Sequence, residues 1–260
     1  MTGAGVPESS EPSGPVLSIV LAILNERPSL PELFARIERA GLPPWEAIVV
    51  DDGSTDGSRE YVLDRARSDR RVRVILHDGR QTTLRAQCLA IESARGRLVA
   101  VMDSDLQHPP ELLAPMVREL DAGARLVIAS RYVPGGTPGR RPPLRRVISR
   151  GAEVTARLLL APARTVRDPV SGFFAFRRSI FVPLDRGERG YKLLLFLLVM
   201  ARGCEVREVP LRFEPRTVGR SKVTSGLAFV RVFVTELLLA RRLASQLARR
   251  PAGPPAPLGA

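Results

Sequence analysis

Aromatic residues are scarce in this 260-residue chain, at 5%. That counts against a nucleic-acid surface made by stacking bases on rings, although a formal charge of +13 would suit a polyanion. Cysteine and histidine are rarer still, at two each. Cys88 and Cys204 both fall in apolar-periodic segments and read as core residues, so neither a disulfide framework nor a Cys/His metal cluster is expected. His77 and His108 have no ligand neighbour in sequence with which to form a zinc pair. The longest apolar run, Leu193 to Ala201, falls well short of the roughly 20 residues that span a bilayer. The stretch Met1 to Pro15 has neither the basic nor the apolar region of a signal peptide. Gly-x-Gly-x-x-Gly and Walker loops are absent too, so a bound phosphate has to be gripped by metal and cationic side chains rather than a glycine cradle. Arginine supplies nearly all the positive charge, Lys192 and Lys222 being the two lysines of the chain. Arginine is the better phosphate ligand where bidentate geometry matters.

What is present is a long alternation of apolar runs and helical periods. Strands are predicted at 16–24, 46–50, 72–76, from 98, and at 125–129. Helices are predicted between them. One follows a capping box, Ser29-Leu30-Pro31-Glu32, and runs to about Ala40; others cover 58–68, 84–94 (closed by Gly96) and 110–121. This order predicts an α/β fold, a mostly parallel, Rossmann-like sheet flanked by helices, with the strand-end loops on one edge. Beyond Arg131 the pattern gives a helix over 144–160, a strand over 173–177, a helix over 191–202, a strand over 205–213 and a basic loop over 216–225. Residues 16–224 are expected to form one domain, 225–250 an amphipathic helix at an interface, and 1–15 and 251–260 disordered tails.

The chemistry concentrates at strand ends. Asp103 and Asp105 follow the fourth apolar run at a spacing of two. They share a face while the strand continues, and can converge over the sheet edge where it turns. With Gln107 they offer hard oxygen ligands suited to Mg²⁺ or Mn²⁺ holding a diphosphate; the same spacing also serves a plain turn cap. Asp51-Asp52-Gly53-Ser54 ends the second run. It fits either a ribose or base contact or an Asx turn. Arg131 stands directly after the fifth run, and Arg140, Arg141, Arg145, Arg146 and Arg150 crowd behind it.

Several stretches together resemble the inverting family 2 glycosyltransferases, nearest to the dolichol-phosphate (polyprenyl-phosphate) mannose synthase branch. They are Val49 to Gly57, Met102 to Glu111, Ala129 to Tyr132, Arg146 to Ala152, Asp168 to Phe176, Gly190-Tyr191-Lys192 and Arg216-x-x-Gly219-x-Ser221-Lys222. The resemblance implies a GT-A fold, a nucleotide-sugar donor (GDP-mannose in that branch) and a polyprenyl-phosphate acceptor. It makes Asp103, Asp105 and Gln107 metal ligands for Mg²⁺ or Mn²⁺, and puts Glu26, Asp52, Asp103 and Lys222 on the donor. It assigns Arg131, Arg145 and Ser149 to the acceptor phosphate, and Asp105, Arg131, Lys192 and Arg216 to the transfer itself. It also implies a peripheral enzyme on the cytoplasmic face of a membrane, leaves room for a separate membrane subunit, and gives nucleic acid no part.

Three departures from the family pattern stand out. Ala22-Ile23-Leu24 replaces Pro-Thr-Tyr before Asn25-Glu26, Thr82-Thr83-Leu84 replaces Gly-Leu-Gly, and Phe196 replaces a glutamate four residues after Lys192. The first two alter the donor pocket and keep open a different nucleotide sugar or acceptor; Ala22, Leu24 and Phe196 keep open a catalytically weak scaffold homologue. In the segment Leu227 to Arg249, Arg231, Thr235, Arg242, Gln246 and Arg249 share one helical face, and Leu227, Phe229, Val230, Phe233, Val234, Leu237, Leu238 and Leu243 form a broad apolar surface. An interfacial helix on anionic lipid is the reading preferred over simple packing on the domain.

Overall fold

The structure is a computed structural model describing residues 14–77, 82–139, 143–184, 190–213 and 227–249, with side chains for all of these except 143–147 and 227–229. The expected tails, apart from residues 14 and 15, and the basic loop 216–225 lie outside the described residues.

Seven strands among the described residues form one sheet: β1 (Leu17–Ile23), β2 (Trp45–Asp51), β3 (Val72–Leu76), β4 (Leu98–Asp103), β5 (Leu126–Ser130), β6 (Phe174–Arg177) and β7 (Val206–Pro210). Their order is β3-β2-β1-β4-β6-β5-β7. Every pairing is parallel except those of β6, which runs antiparallel between β4 and β5. The central strands are apolar on both faces, as a sheet covered on both sides requires. Alternation sends Leu17, Ile19, Leu21, Ala47, Val49, Leu98, Ala100 and Met102 to one core and Val20, Ile48, Val50, Val99 and Val101 to the other. Helices α1 (Leu30–Arg39), α2 (Ser58–Ser68) and α4 (Leu113–Asp121) cover the first face. The second is covered by α3 (Thr83–Glu92), α5 (Pro143–Leu159), α6 (Leu193–Met200) and α7 (Leu227–Arg249).

Several local expectations are corrected. The helix expected over 110–121 starts as a 3₁₀ turn, Pro110–Leu112, and becomes α-helical only at Leu113. Pro115 then falls in the first turn, where its missing N–H goes unneeded. Ser29 does not cap α1 with its side chain; its hydroxyl donates instead to the carbonyls of Glu26 (2.9 Å) and Ser104 (2.8 Å), tying the start of α1 to the loop after β4. Gly96 does not close α3, which ends at Glu92 with Ser93 as its cap. A Cβ there would lie 2.8 Å from the Ser18 nitrogen, so this glycine permits a close approach of two backbones. Cys88 is buried as expected, whereas Cys204 is exposed in the turn after α6.

At the start of the parallel strands, buried Glu46 accepts from the Ser18 hydroxyl (2.7 Å), the Arg95 backbone (2.7 Å) and Arg73 Nη1 (3.0 Å). This knot closes the edge of the sheet remote from the strand ends.

Helix α7 packs inward on α5 and α6 through Phe233, Leu237 and Ala240. The apolar surface expected on it is thus divided. Val230, Val234 and Leu238, spaced by four, form an outward stripe, bordered by exposed Arg231, Arg241 and Arg242. Among the described residues no helix is long and apolar enough to cross a membrane.

Candidate functional site

The ends of β2, β1 and β4 lie side by side, Ile23 opposite Asp51 and Ala22 opposite Asp103. The loops leaving β1 and β2 are laced together. Asn25 adopts a left-handed backbone (φ 53°), which asparagine tolerates. It donates its N–H to Ser54 Oγ (2.9 Å) and accepts the Thr55 N–H (2.7 Å). The Glu26 N–H reaches Ser58 Oγ (2.9 Å), and the Arg27 N–H reaches Asp56 (3.0 Å). The paired acids at 51 and 52 separate by strand alternation. Asp51 is fully buried on the α2 side, where it accepts from Arg59 Nε (2.7 Å) and the Ser54 N–H (3.1 Å). Asp52, one step on, is half-buried beside the end of β1, its N–H on the Ile23 carbonyl (3.1 Å). Asp51 thus carries the turn, while Asp52 and Glu26 stand in the loops that leave β2 and β1.

Asp103 ends β4 with about half its side chain exposed (52%). Its N–H donates to His108 Nδ1 (3.0 Å), so the neutral ring carries its proton on Nε2. His108 is buried, stacked on Phe173 (5.3 Å) and edge-on to Phe213 (5.7 Å). A Cβ on Gly172 would sit 3.2 Å from His108 Cε1 and 3.5 Å from Asp103 Oδ2, so the glycine keeps the acid and its support close to the turn before β6. Asp105 is buried and accepts the Gln107 N–H on Oδ1 (3.1 Å). Between them Leu106 takes φ +64°, a strained backbone for leucine, and its side chain is anchored in the core. Among the described residues no group of three or more His, Cys, Asp or Glu is placed to hold a metal alone. Two carboxylates and an amide fit an ion of the Mg²⁺ type, which completes its shell with water and phosphate oxygens.

Because β6 is antiparallel, the turn before it reaches the same edge from the other side. There Asp168, fully buried, takes three hydrogen bonds from Arg131: backbone N–H (3.1 Å), Nε (2.7 Å) and Nη2 (2.7 Å). The loop around Asp168 is held by Glu208 of β7, which accepts the N–H groups of Arg167 (2.8 Å) and Asp168 (3.0 Å). Lys192, just before α6, donates Nζ to the Val170 carbonyl (3.0 Å). Burial, then the charge of Arg131, push its ammonium below the usual lysine range, opposed by Asp103, Glu236 and Asp168. Tyr132 stacks under Arg131 (5.2 Å) and Arg150 (5.8 Å). It hydrogen-bonds buried Glu153, whose carboxyl is raised above the usual range chiefly by burial. Ser149 on α5 directs its hydroxyl to Glu153 at 3.4 Å.

The sheet edge therefore unites Glu26, Asp52, Asp103, Asp105, Gln107, Arg131 and Lys192, with Ser149 beyond Tyr132. The Arg145 side chain and all of Arg216 and Lys222 lie outside the described residues. Four residues took no part in the sequence reading of the site: Asp168, His108, Glu153 and Glu236. The first two sit inside quoted motifs and could have been marked as buried polar partners. Glu153 lies three and four residues beyond Arg150 and Ser149, a spacing that signals one helical face. Glu236 was visible as the acid inside an otherwise apolar and basic helix.

The family described as "Glycosyl transferase family 2" matches residues 18–183. A protein of Pyrococcus furiosus named dolichol-phosphate mannosyltransferase is 36% identical over 215 residues, 82% of this chain and 60% of that protein; the chain thus spans about three-fifths of that relative. A polyprenol monophosphomannose synthase of Mycolicibacterium smegmatis is 35% identical over 234 residues, covering 86% of this chain and 87% of the relative. Among solved structures, a glucosyl-3-phosphoglycerate synthase from Mycobacterium tuberculosis, in complex with Mn²⁺, UDP-glucose and phosphoglyceric acid, superposes with a TM-score of 0.66. At 20% identity it covers 89% of this chain and 80% of its own, and the two share the GT-A-like fold.

Proposed function

The chain belongs to glycosyltransferase family 2, and on that footing we propose that it moves a sugar, mannose from GDP-mannose, onto the phosphate of a polyprenyl phosphate at the cytoplasmic face of a membrane. One observation carries the reading. Acids that suit a sugar-diphosphate with its ion (Asp103, Asp105) and cations that suit a second phosphate (Arg131, Lys192) meet at one strand-end edge. Relatives named for mannosyl transfer to dolichol or polyprenol share about a third of the sequence.

The chemistry asks little of a protein base. A phosphate monoester is largely doubly ionised at neutral pH, its second pKa being about 6, so the acceptor needs to be positioned rather than deprotonated. Arg131 is suited to that task because Asp168 fixes its guanidinium through Nε and Nη2 and leaves Nη1 outside the fork. A phosphate arriving beside Lys192 favours the ammonium form that burial disfavours. Asp103, Asp105 and Gln107 would hold Mg²⁺ or Mn²⁺, which when bound supplies positive charge for the departing diphosphate. Asp52 and Glu26 lie on the two laced loops, where a nucleoside can be gripped. Attack from the face opposite the diphosphate inverts the anomeric carbon.

The outward stripe Val230, Val234 and Leu238 supports seating on lipid, and each neighbouring arginine adds about 1 kcal/mol on an anionic surface. Ala22 and Leu24, standing where the family carries Pro and Tyr, favour a second reading with another nucleotide sugar. The test is incubation with radiolabelled GDP- and UDP-sugars, a polyprenyl phosphate and Mn²⁺, followed by organic extraction. Label from GDP-mannose in the organic phase is expected. Label from a UDP-sugar alone selects the second reading, and none from any donor contradicts both.

A further inference from the structure

Glu236 is the one acid within α7, and it points into the protein: the residue is fully buried, on the face shared with Phe233, Leu237 and Ala240. Its Oε1 accepts two adjacent backbone N–H groups, those of Tyr191 (2.5 Å) and Lys192 (2.7 Å). Its Oε2 is buried without a hydrogen-bond partner among the described residues. Gly190 closes the arrangement. A Cβ there would run into the Glu236 carboxyl, 2.5 Å from its Cδ and 2.7 Å from its Cγ, so only glycine lets the loop lie this close. On its other side the Gly190 carbonyl accepts the Leu84 N–H at the start of α3 (2.9 Å). The segment Gly190-Tyr191-Lys192 is thus clamped between the first turn of α3 and a single oxygen of α7. Those same two N–H groups precede α6, which begins at Leu193 rather than at Tyr191. Phe196, one turn into α6, is buried in the core, and the carboxyl beside Lys192 comes from α7 instead.

We propose that Glu236 is a positioning residue for sugar transfer, its side-chain oxygen holding the backbone of Tyr191 and Lys192 so that the Lys192 side chain is aimed at the strand-end cleft. The C-terminal helix is then part of the site as well as its outward apolar face. The proposal rests on the reading of Lys192 as a phosphate-binding cation, and it deepens that reading by naming what fixes the lysine. Burial pushes the Glu236 carboxyl up to about 7. A neutral acid and a glutamine both still offer one carbonyl oxygen to the two N–H groups, so the oxygen rather than the charge is the operative feature.

The test compares Glu236→Gln, which keeps that oxygen, with Glu236→Met, which keeps length and apolar packing but offers no acceptor of comparable strength. A third variant, Gly190→Ala, pushes the carboxyl off the loop from the opposite side and covers the case in which the methionine variant fails to fold. Transfer kinetics of the full chain are measured for each, together with Lys192→Ala and the Glu236→Met/Lys192→Ala pair, and amide hydrogen exchange of Tyr191 and Lys192 is followed by NMR. Misplacing a reactive group by about 1 Å costs up to about 100-fold. A fall of about that size in kcat/KM is expected for Glu236→Met and for Gly190→Ala, with glutamine retaining most of the activity. The double variant should be no slower than Lys192→Ala alone, since a residue acting through Lys192 has nothing left to act on. Amide exchange should accelerate about tenfold in the methionine variant, the scale of one lost hydrogen bond. Wild-type kinetics in Glu236→Met, or losses that multiply in the double variant, would overturn the proposal. If the wild-type chain transfers no sugar at all, the functional reading has failed separately. Exchange at the two amides then decides the clamp: acceleration supports it and unchanged rates overturn it.

Discussion

Replacing Asp168 by alanine is the sharpest test of how the site is braced. The side chain is fully buried, Arg131 is 7% exposed, and two charge-assisted hydrogen bonds of 2.7 Å join them, with a third at 3.1 Å from the Arg131 backbone. A surface pair of this geometry would be worth little, but here truncation leaves a buried guanidinium without its hydrogen-bonded counter-charge. Breaking a buried pair in that way costs about 3–5 kcal/mol. Asp168→Asn keeps the volume and one acceptor oxygen, and should cost about 2 kcal/mol, the scale of a hydrogen bond to a charged group. Combining Asp168→Leu with Arg131→Met removes both charges and should recover most of the loss, because the two apolar side chains need no compensation and only the Arg131 backbone N–H loses its acceptor. Urea denaturation can be followed through Trp45, the one tryptophan, which is buried at the start of β2 with Arg71 over its ring (4.2 Å). The ranking should be Ala worst, Asn intermediate and the double apolar variant near wild type, with similar slopes against urea. A loss below about 1 kcal/mol for Asp168→Ala would mean the pair behaves as an exposed one, and the picture of a rigid Arg131 would be wrong.

Three further outcomes are expected. Asp103→Ala and Asp105→Ala should each abolish transfer, and excess EDTA should do the same to the wild type, while urea midpoints stay near wild type for Asp103, whose side chain is half exposed; full activity in EDTA would rule out the ion. Val234→Ser with Leu238→Ser should leave folding intact, since both side chains point outward, yet weaken flotation of the full chain with anionic vesicles. Undiminished flotation would remove α7 as the lipid-facing element. The Glu46 carboxyl is raised by burial, but hydrogen bonds from Ser18, the Arg95 backbone and Arg73 outweigh this and hold it below its ordinary value of 4.5. A folded-state pKa below the unfolded one gives stability that is full above pH 4.5 and is lost as pH falls further, so Glu46→Gln should lower the urea midpoint at pH 7 and flatten its decline in acid.

The sheet and most helices were legible because their periods are strong. The apolar run ending at Ile23, bounded by turn residues, reads as a buried strand, and Leu30, Leu33, Phe34 and Ile37 recur at the helical spacing that buries one face of Leu30–Arg39. The place of β6 was not legible: four residues reading Phe-Ala-Phe-Arg cannot say whether they pair parallel or antiparallel, or that they enter between β4 and β5. That insertion brings Asp168 beneath Arg131, so the brace on the cation was hidden while the cation itself was visible. Asp51 and Asp52 looked equivalent as neighbours, and only the fold turns Asp51 inward to Arg59 and leaves Asp52 half-buried beside the end of β1. On α7 the amphipathic pattern was plain, but a broad apolar surface could not reveal which part packs inward; Phe233 and Leu237 do, whereas Val230, Val234 and Leu238 stay outside. Long-range packing made those choices, and it leaves no local period.

The central claim is that one strand-end cleft joins a sugar-diphosphate to a lipid phosphate. It is tested most directly by giving the full chain GDP-[¹⁴C]mannose and Mn²⁺ with vesicles that do or do not contain a polyprenyl phosphate, and counting label in the organic phase. Label should appear only when the lipid phosphate is present, and should fall sharply, though still measurably, in Lys192→Ala. Label that stays in water whatever the vesicles contain, or that reaches the organic phase unaffected by loss of Lys192, would contradict it.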